Sequence, residues 1–100
     1  MAEIPCRHFA IERVVHAHST GCEDCLKIGG RWVHLRLCLD CGHVGCCDDS
    51  PNRHATKHAH ATSHPTIASF ERGEHWGWCY PHEHFEEQLP ASIQVIRSGR

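Results

Sequence analysis

The chain has 100 residues and a formal charge of −2, which fits one small domain and leaves no room for a second full core. Ten Lys and Arg residues against twelve Asp and Glu residues exclude the basic excess typical of nucleic-acid-binding proteins. Hydrophobic residues reach 40% only when the eight cysteines are counted. So small a core is usually stabilised by disulfides or metal, and the eight cysteines and twelve histidines favour such a role.

The cysteines are predicted to bind metal rather than to form disulfides. The first residues include Glu3 and Arg7 and lack the apolar run of a secretory signal, and no apolar run approaches membrane-spanning length. These features predict a cytoplasmic protein, and in that reducing compartment thiol pairs bind metal more often than they form disulfides. We interpret the chain as a monomer that binds neither membranes nor nucleic acid.

The first half of the chain predicts a strand pair followed by a helix. Residues 32–38 alternate between apolar and polar side chains and lie between glycine-containing turns, which predicts a half-buried strand. Residues 43–46 are its predicted partner. Ser50 and Pro51 are typical of a helix start, so residues 53–60 are predicted to be helical.

The second half predicts two more strands, over residues 66–70 and 76–80, and a short helix over residues 82–89. Trp32 and Trp76 are predicted to pack in the core or the sheet. Helices and antiparallel strands in this order indicate an α+β fold.

The domain is predicted to span residues 1–87. Pro90 interrupts the element before it, and residues 88–100 are interpreted as a C-terminal tail.

Cysteine and histidine spacing gives the strongest functional signal. Two Cys-x2-Cys pairs indicate zinc, because this spacing lets two thiolates bind one tetrahedral ion from a tight turn. The candidate ligands are seven cysteines and five histidines: Cys6, His8, Cys22, Cys25, Cys38, Cys41, Cys46, His54, His58, His64, Cys79 and His82. Twelve ligands fill three four-coordinate sites and leave no position for water, which indicates three structural zinc ions.

Spacing alone leaves the pairing of the ligands open. In a plain ribbon, Cys22, Cys25, Cys38 and Cys41 would share one ion, and Cys46 would join the three central histidines at another. An interleaved arrangement gives two other sets: Cys22, Cys25, Cys46 and His54 for one ion, and Cys38, Cys41, His58 and His64 for the other.

An enzymatic role is not predicted. His54 and His58 lie one helical turn apart, as in zinc metalloproteases, but the residues between them include no Glu to act as general base. The sequence also shows no serine nucleophile elbow and no catalytic carboxylate pair. We therefore predict a non-catalytic protein.

The ordered ligand pattern resembles that of the UBP-type zinc finger, a module of deubiquitinating enzymes, of a cytoplasmic histone deacetylase and of small free-standing bacterial proteins. The matching motifs are Cys22-x2-Cys25, Cys38-x2-Cys41-Gly-His-Val-Gly-Cys46, His54-x3-His58-x5-His64-Pro65 and Trp78-Cys79-Tyr80. The resemblance implies the interleaved core and a twisted antiparallel sheet flanked by helices. It also implies a third ion, on Cys6, His8, Cys79 and His82. The family's usual ligand is the free C-terminal Gly-Gly tail of ubiquitin.

The resemblance implies a binding groove as well, and this chain departs from the family there. Trp78 and Tyr80 match the family's aromatic wall, whereas Arg36 stands where the family usually has a pocket Trp. Asp48 and Asp49 stand where tail-binding members have an Arg and a Tyr, and two carboxylates would repel the carboxylate of an incoming tail. We predict that Trp78, Tyr80 and Arg36 bind a protein partner or peptide C-terminus, with ubiquitin bound weakly or not at all.

A second candidate function, from a different class, is metal handling or thiol redox chemistry. Cys47 lies outside the candidate ligand set, but adjacent thiols at zinc sites are more often structural, so we interpret it as a spectator or alternative ligand. Slow zinc exchange would favour the binding module, and ready exchange would favour metal handling.

Overall fold

A computed structural model describes residues 6–97 of the chain. Within these residues the polypeptide forms a five-stranded sheet, a two-stranded sheet, two α-helices and a 3₁₀ turn. The strands are β1 Arg13–His16, β2 Leu35–Cys38, β3 Val44–Cys46, β4 Thr66–Ser69, β5 Gly77–Cys79, β6 His84–Glu86 and β7 Ile93–Ile96. The helices are α1 Glu23–Ile28 and α2 His54–Thr62, and the 3₁₀ turn is Arg7–Phe9. This architecture confirms the predicted α+β class.

The larger sheet is antiparallel throughout, with strand order β3-β2-β4-β5-β6. Four of these strands lie within segments predicted to be extended. β2 begins at Leu35, three residues later than predicted, because Val33 lies outside the ladder and donates its backbone N–H to the Ser50 hydroxyl at 2.8 Å. The predicted alternation still holds within β2, where Leu35 and Leu37 are buried.

The short helix predicted over residues 82–89 is wrong. Residues His84–Glu86 instead form the edge strand β6, in which Phe85 pairs with Trp78 of β5. The Phe85 ring also lies 5.5 Å from the Trp76 ring, centroid to centroid. A segment this short forms a stable helix only with strong support, and here the cross-strand aromatic contacts favour the extended form.

Helix α2 begins at His54, one residue after the predicted start, because Arg53 is in the left-handed region with φ of 47°, and it continues to Thr62. Helix α1 has no counterpart among the predicted elements. Cys22 caps the start of α1, because its sulfur accepts the backbone N–H of Cys25 at 3.4 Å. Gly29 ends it in the left-handed region, with φ of 70°. Neither helix of the described residues has the length or apolar character needed to cross a membrane.

Strands β1 and β7 pair in parallel, with Arg13 opposite Ile93. β7 therefore lies inside the segment predicted as a C-terminal tail. Ile93 belongs to the hydrophobic core, and the Arg13 guanidinium forms an ion pair with Asp40 at 2.8 Å. The two-stranded sheet is thus attached both to the core and to the turn that follows β2.

The two faces of the larger sheet differ in character. Cross-strand pairing places Leu37, Val44 and Ala68 on one face, where all three are buried in the core. The same alternation gives the opposite face another row of side chains: Arg36, Ile67, Trp78 and Phe85. This second face carries the groove described below.

Gly45 of β3 allows α2 to approach the sheet closely. A β-carbon at this position would lie 2.7 Å from the backbone nitrogen of Ala55 and 2.8 Å from its Cα. Gly45→Ala is expected to displace α2 and to lower the free energy of unfolding by about 1–3 kcal/mol, as overpacking does. Urea denaturation of the zinc-loaded protein measures this. Gly21→Ala is the control, since its methyl would meet only side-chain atoms, those of the partly exposed Trp32 ring and the exposed Leu26, and equal losses would contradict the prediction.

Candidate metal centres and aromatic groove

The structure brings the twelve candidate ligands together in three groups of four. In each group the donor atoms all lie within 4.8 Å of one another. The groups are cluster 1 (Cys22, Cys25, Cys46 and His54), cluster 2 (Cys38, Cys41, His58 and His64) and cluster 3 (Cys6, His8, Cys79 and His82). Clusters 1 and 2 follow the interleaved alternative and not the plain ribbon.

Cluster 1 has the dimensions of a tetrahedral zinc site. His54 Nδ1 lies 3.3, 3.4 and 3.6 Å from the sulfurs of Cys22, Cys25 and Cys46, and the last two sulfurs are 3.9 Å apart. Around zinc, bond lengths of about 2.3 Å to sulfur and about 2.0 Å to nitrogen give ligand separations of about 3.5 to 3.8 Å. The donors are therefore already spaced for one ion.

Three separate elements supply cluster 1. Cys22 and Cys25 come from the start of α1, Cys46 ends β3, and His54 begins α2. The backbone N–H of His54 also donates to the Cys46 sulfur at 3.2 Å, which ties the start of α2 to the end of β3. A metal ion here would hold both helices against the sheet.

Cluster 2 lies one turn further along α2. His58 Nε2 is 3.3 Å from the Cys41 sulfur, and His64 Nδ1 is 3.4 Å from the Cys38 sulfur. His54 and His58 thus lie on one face of α2 but belong to two different clusters. This shared helix is the reason that the ligands interleave along the chain.

His43 supports cluster 2 without belonging to it. Its ring stacks on the His58 ring with centroids 4.0 Å apart and an angle of 4° between the planes. At the edge of the same ring, His43 Nε2 lies 2.7 Å from a carboxylate oxygen of Asp24 in α1. Asp24 and His43 therefore hold the ligand ring in position, as outer partners do at many metal sites.

Cluster 3 joins the start of the described chain to the end of β5 and the turn after it. His8 Nδ1 lies 3.0 Å from the Cys79 sulfur, and His82 Nδ1 lies 3.1 Å from the Cys6 sulfur. Cys6 and Cys79 are buried, while His82 is exposed to solvent. Of the three clusters, this one alone has an exposed ligand.

Burial opposes ionisation of four of the cluster thiols, and a bound cation would favour their thiolate forms. Burial raises the pKa of Cys22 and that of Cys38 to about 12, and it also raises the pKa of Cys25 and of Cys79. A divalent ion reverses this balance, since metal binding displaces the thiol protons. Mixed sulfur and imidazole donors at tetrahedral spacing suit Zn²⁺, so each cluster could hold one zinc ion.

A groove of about 300 Å³ lies on the second face of the larger sheet. Its lining includes Arg36, Trp78, Tyr80 and Asp48. The structure thus brings Trp78, Tyr80 and Arg36, the three residues predicted for peptide binding, to one groove. Asp49 lines it too.

Trp76 and Phe85 also line the groove, although Trp76 was predicted to pack in the core or the sheet. Trp76 lies between Phe85 and Arg36, with the Arg36 guanidinium 4.6 Å from the Trp76 ring centre. The sequence does contain a signal that Trp76 lines the groove. Alternate residues of a strand lie on the same face of a sheet, and Trp76 alternates with Trp78 and Tyr80, the two aromatic residues predicted to bind a peptide.

Hydrogen bonds fix the side of the groove formed by α2. The Thr56 hydroxyl donates to Asp48 Oδ1 at 2.6 Å and lies 3.0 Å from the Tyr80 hydroxyl. Burial raises the pKa of Tyr80, so the phenol stays protonated at neutral pH. Thr56 therefore joins the acidic loop after β3 to the aromatic side of the groove.

Cys47 borders the groove and belongs to none of the clusters. It is buried, with its sulfur 3.4 Å from the Ser50 hydroxyl. Burial alone would raise the pKa of Cys47, but hydrogen bonds from Ser50 and from the backbone outweigh it and lower that pKa. The side chain therefore has a polar partner of its own.

This fold and its clusters define a small zinc-binding module with a groove on its sheet. Residues 22–90 match the family model described as the Zn-finger in ubiquitin-hydrolases and other protein, and the chain belongs to this UBP-type zinc-finger family. No curated protein matches the chain.

Among solved structures, the chain is similar to the solution NMR structure of protein RPA1320 from Rhodopseudomonas palustris. The two sequences are 50% identical, and the superposition has a TM-score of 0.76. The similarity covers 96% of this chain and 98% of the other. The two proteins therefore share their fold over nearly their whole lengths.

Proposed function

We propose that this zinc-binding protein is a non-catalytic module that binds a protein partner or a peptide C-terminus in the groove. The observation that carries the proposal is the combination of aromatic walls with one guanidinium in a groove of about 300 Å³. Concave sites with aromatic linings and few polar groups are typical of ligand binding. The clusters hold this surface in place and do not contribute to it directly.

The composition of the clusters supports the proposal of a non-catalytic role. Each has four protein donors, and a catalytic zinc normally keeps one position for water or substrate. The groove residues also lack the arrangement of nucleophile, base and orienting group that covalent catalysis needs. Binding is therefore the activity that these residues support.

A chain end suits this groove because Arg36 is the one basic residue among its described lining. A guanidinium binds a carboxylate through two parallel hydrogen bonds. The faces of Trp78 and Tyr80 offer flat apolar area for the backbone of the last residues. Arg36 would thus bind the terminal carboxylate of the peptide. The aromatic rings would pack against the backbone of its last residues.

Ubiquitin itself is expected to bind weakly or not at all, because Asp48 and Asp49 repel its terminal carboxylate. Titration of ¹⁵N-labelled protein with free ubiquitin measures this. Micromolar binding that Trp78→Ala abolishes would contradict the prediction.

For any peptide that binds, Trp78→Ala is expected to weaken binding at least about tenfold while leaving the zinc content unchanged, since aromatic anchors dominate such contacts. Isothermal titration and metal analysis give the two readouts. Leu26→Ala is the control, because Leu26 is an exposed apolar residue of α1 outside the groove. Equal losses in both variants would place the binding site elsewhere.

The remaining proposals concern location and partners. With three zinc ions and seven thiolates the protein would carry a charge of about −3, which disfavours nucleic acid and anionic membrane surfaces. We propose that it acts as a monomer in the cytoplasm.

A second candidate function is metal handling or thiol redox chemistry. Two observations favour it: His82 of cluster 3 is exposed, and Cys47 is a thiol outside all three clusters. Exchange with isotopically enriched zinc, followed by native mass spectrometry, separates the two functions. Slow exchange at all three clusters supports the binding module, and rapid exchange supports metal handling.

A further inference from the structure

An acidic pair lies at the groove without a cationic partner. Asp48 and Asp49 are both exposed, both line the groove, and neither takes part in an ion pair among residues 6–97. Asp48 accepts a hydrogen bond from Thr56, which leaves its second oxygen available. The lining thus has two negative charges against the single positive charge of Arg36.

The aromatic side of the groove already accommodates a guanidinium. The Arg36 guanidinium lies over the Trp76 ring at 4.6 Å, where the negative face of the ring attracts a cation. Trp78 and Tyr80 extend the same side toward Asp48, to which Tyr80 is connected through Thr56. A second cation entering beside Trp78 would find aromatic faces and two carboxylates.

We propose that the groove binds a basic peptide segment, with a Lys or Arg side chain of the partner placed between Trp78 and the pair Asp48 and Asp49. This inference rests on the proposed function and specifies the chemistry of its partner. Arginine and lysine suit the groove because their apolar stems pack on aromatic rings while their charged ends reach carboxylates. A small metal cation would use the carboxylates alone and gain nothing from the rings.

Two synthetic bead libraries of random heptapeptides test the proposal with the zinc-loaded protein. One library has a free C-terminal carboxylate and the other a C-terminal amide. Enrichment of Lys or Arg at one position is expected in peptides selected by the wild-type protein. Enrichment of neutral or acidic sequences would overturn the basic-partner inference and leave the binding module intact, whereas no enrichment in either library would overturn the proposed function itself.

The best selected peptide is then titrated against charge variants. Asp48→Asn/Asp49→Asn is expected to weaken binding at least about tenfold, the scale for loss of charge-assisted hydrogen bonds. Asn keeps an oxygen that can accept from Thr56, so the groove is preserved. The control is Glu12→Gln/Glu87→Gln, which removes the same charge from two exposed positions outside the groove.

Replacing the peptide arginine with neutral citrulline, or its lysine with acetyl-lysine, is expected to cause a similar loss with the wild-type protein and little further loss with the Asp48/Asp49 variant. Such non-additivity identifies direct contact between the two groups. Equal losses in the wild type and the variant would overturn the proposal, because the basic side chain would then bind away from the acidic pair.

Discussion

Removal of zinc from the purified protein is expected to unfold the whole chain. The three clusters connect separate secondary-structure elements: cluster 1 joins both helices to β3, cluster 2 joins α2 to β2, and cluster 3 joins the N-terminal turn to β5. A structural zinc ion contributes on the order of 10 kcal/mol of apparent binding free energy at neutral pH. Domains as a class retain only about 5–15 kcal/mol of net stability.

Native mass spectrometry and ¹H–¹⁵N spectra measure this expectation together. The untreated protein should carry three zinc ions and give dispersed amide signals, and a chelator in excess should remove the ions and collapse the dispersion. A spectrum that stays native after all metal has left would contradict the structural role. A count of two ions would remove cluster 3 from the metal sites, since it has the exposed ligand His82.

Affinity for zinc is also expected to fall as the pH is lowered. The buried thiols have raised pKa values, about 12 for Cys22 and Cys38, so they hold their protons more strongly than free cysteine does. Each thiolate that binds zinc must release a proton, and a higher proton concentration therefore opposes binding. This linkage makes acid an alternative to chelators for preparing the metal-free chain.

The ligands could be chosen from the sequence because metal-binding residues keep short local spacings. Cys22 and Cys25 share one turn, and His54 and His58 share one face of α2. Their grouping could not be derived in the same way, since the contact of Cys46 with α1 depends on where β3 lies in the sheet. Resemblance to a known family supplied the interleaved arrangement that spacing left open.

The errors in the predicted fold occur where distant contacts outweigh local preference. β6 forms because Phe85 pairs with Trp78, and nothing within residues 82–89 alone indicates that partner. β7 pairs in parallel with β1, so Ile93 contacts a strand from the opposite end of the chain. Parallel pairs of this kind leave no hairpin signal in the sequence.

The sharpest test of cluster 1 compares two neighbouring cysteines. Cys46→Ser is expected to lose one zinc ion and to unfold under conditions in which the wild type is folded. Serine offers a hydroxyl that does not ionise at neutral pH, and Cys46 lies fully buried between Cys25 and His54. Loss of one ion removes on the order of 10 kcal/mol, which exceeds or approaches the whole stability of a small domain.

Cys47→Ser is the matched control, because it makes the same chemical change one residue away. Cys47 is also buried, but its sulfur contacts the Ser50 hydroxyl and it belongs to none of the three clusters. The variant is expected to keep three zinc ions and to lose about 1 kcal/mol of stability, a common cost for a single substitution. Metal counting by native mass spectrometry and urea denaturation give the two comparisons.

The pair of variants also tests the register of β3. Successive residues of an extended strand point to opposite faces, so Cys46 and Cys47 cannot both reach cluster 1 from one register. Loss of zinc from Cys47→Ser, with the Cys46→Ser variant intact, would mean that β3 is shifted by one residue and that Gly45 no longer faces α2. The expected result is that only Cys46→Ser loses zinc. That result would establish the register of β3, and with it the position of Asp48 and Asp49 at the groove.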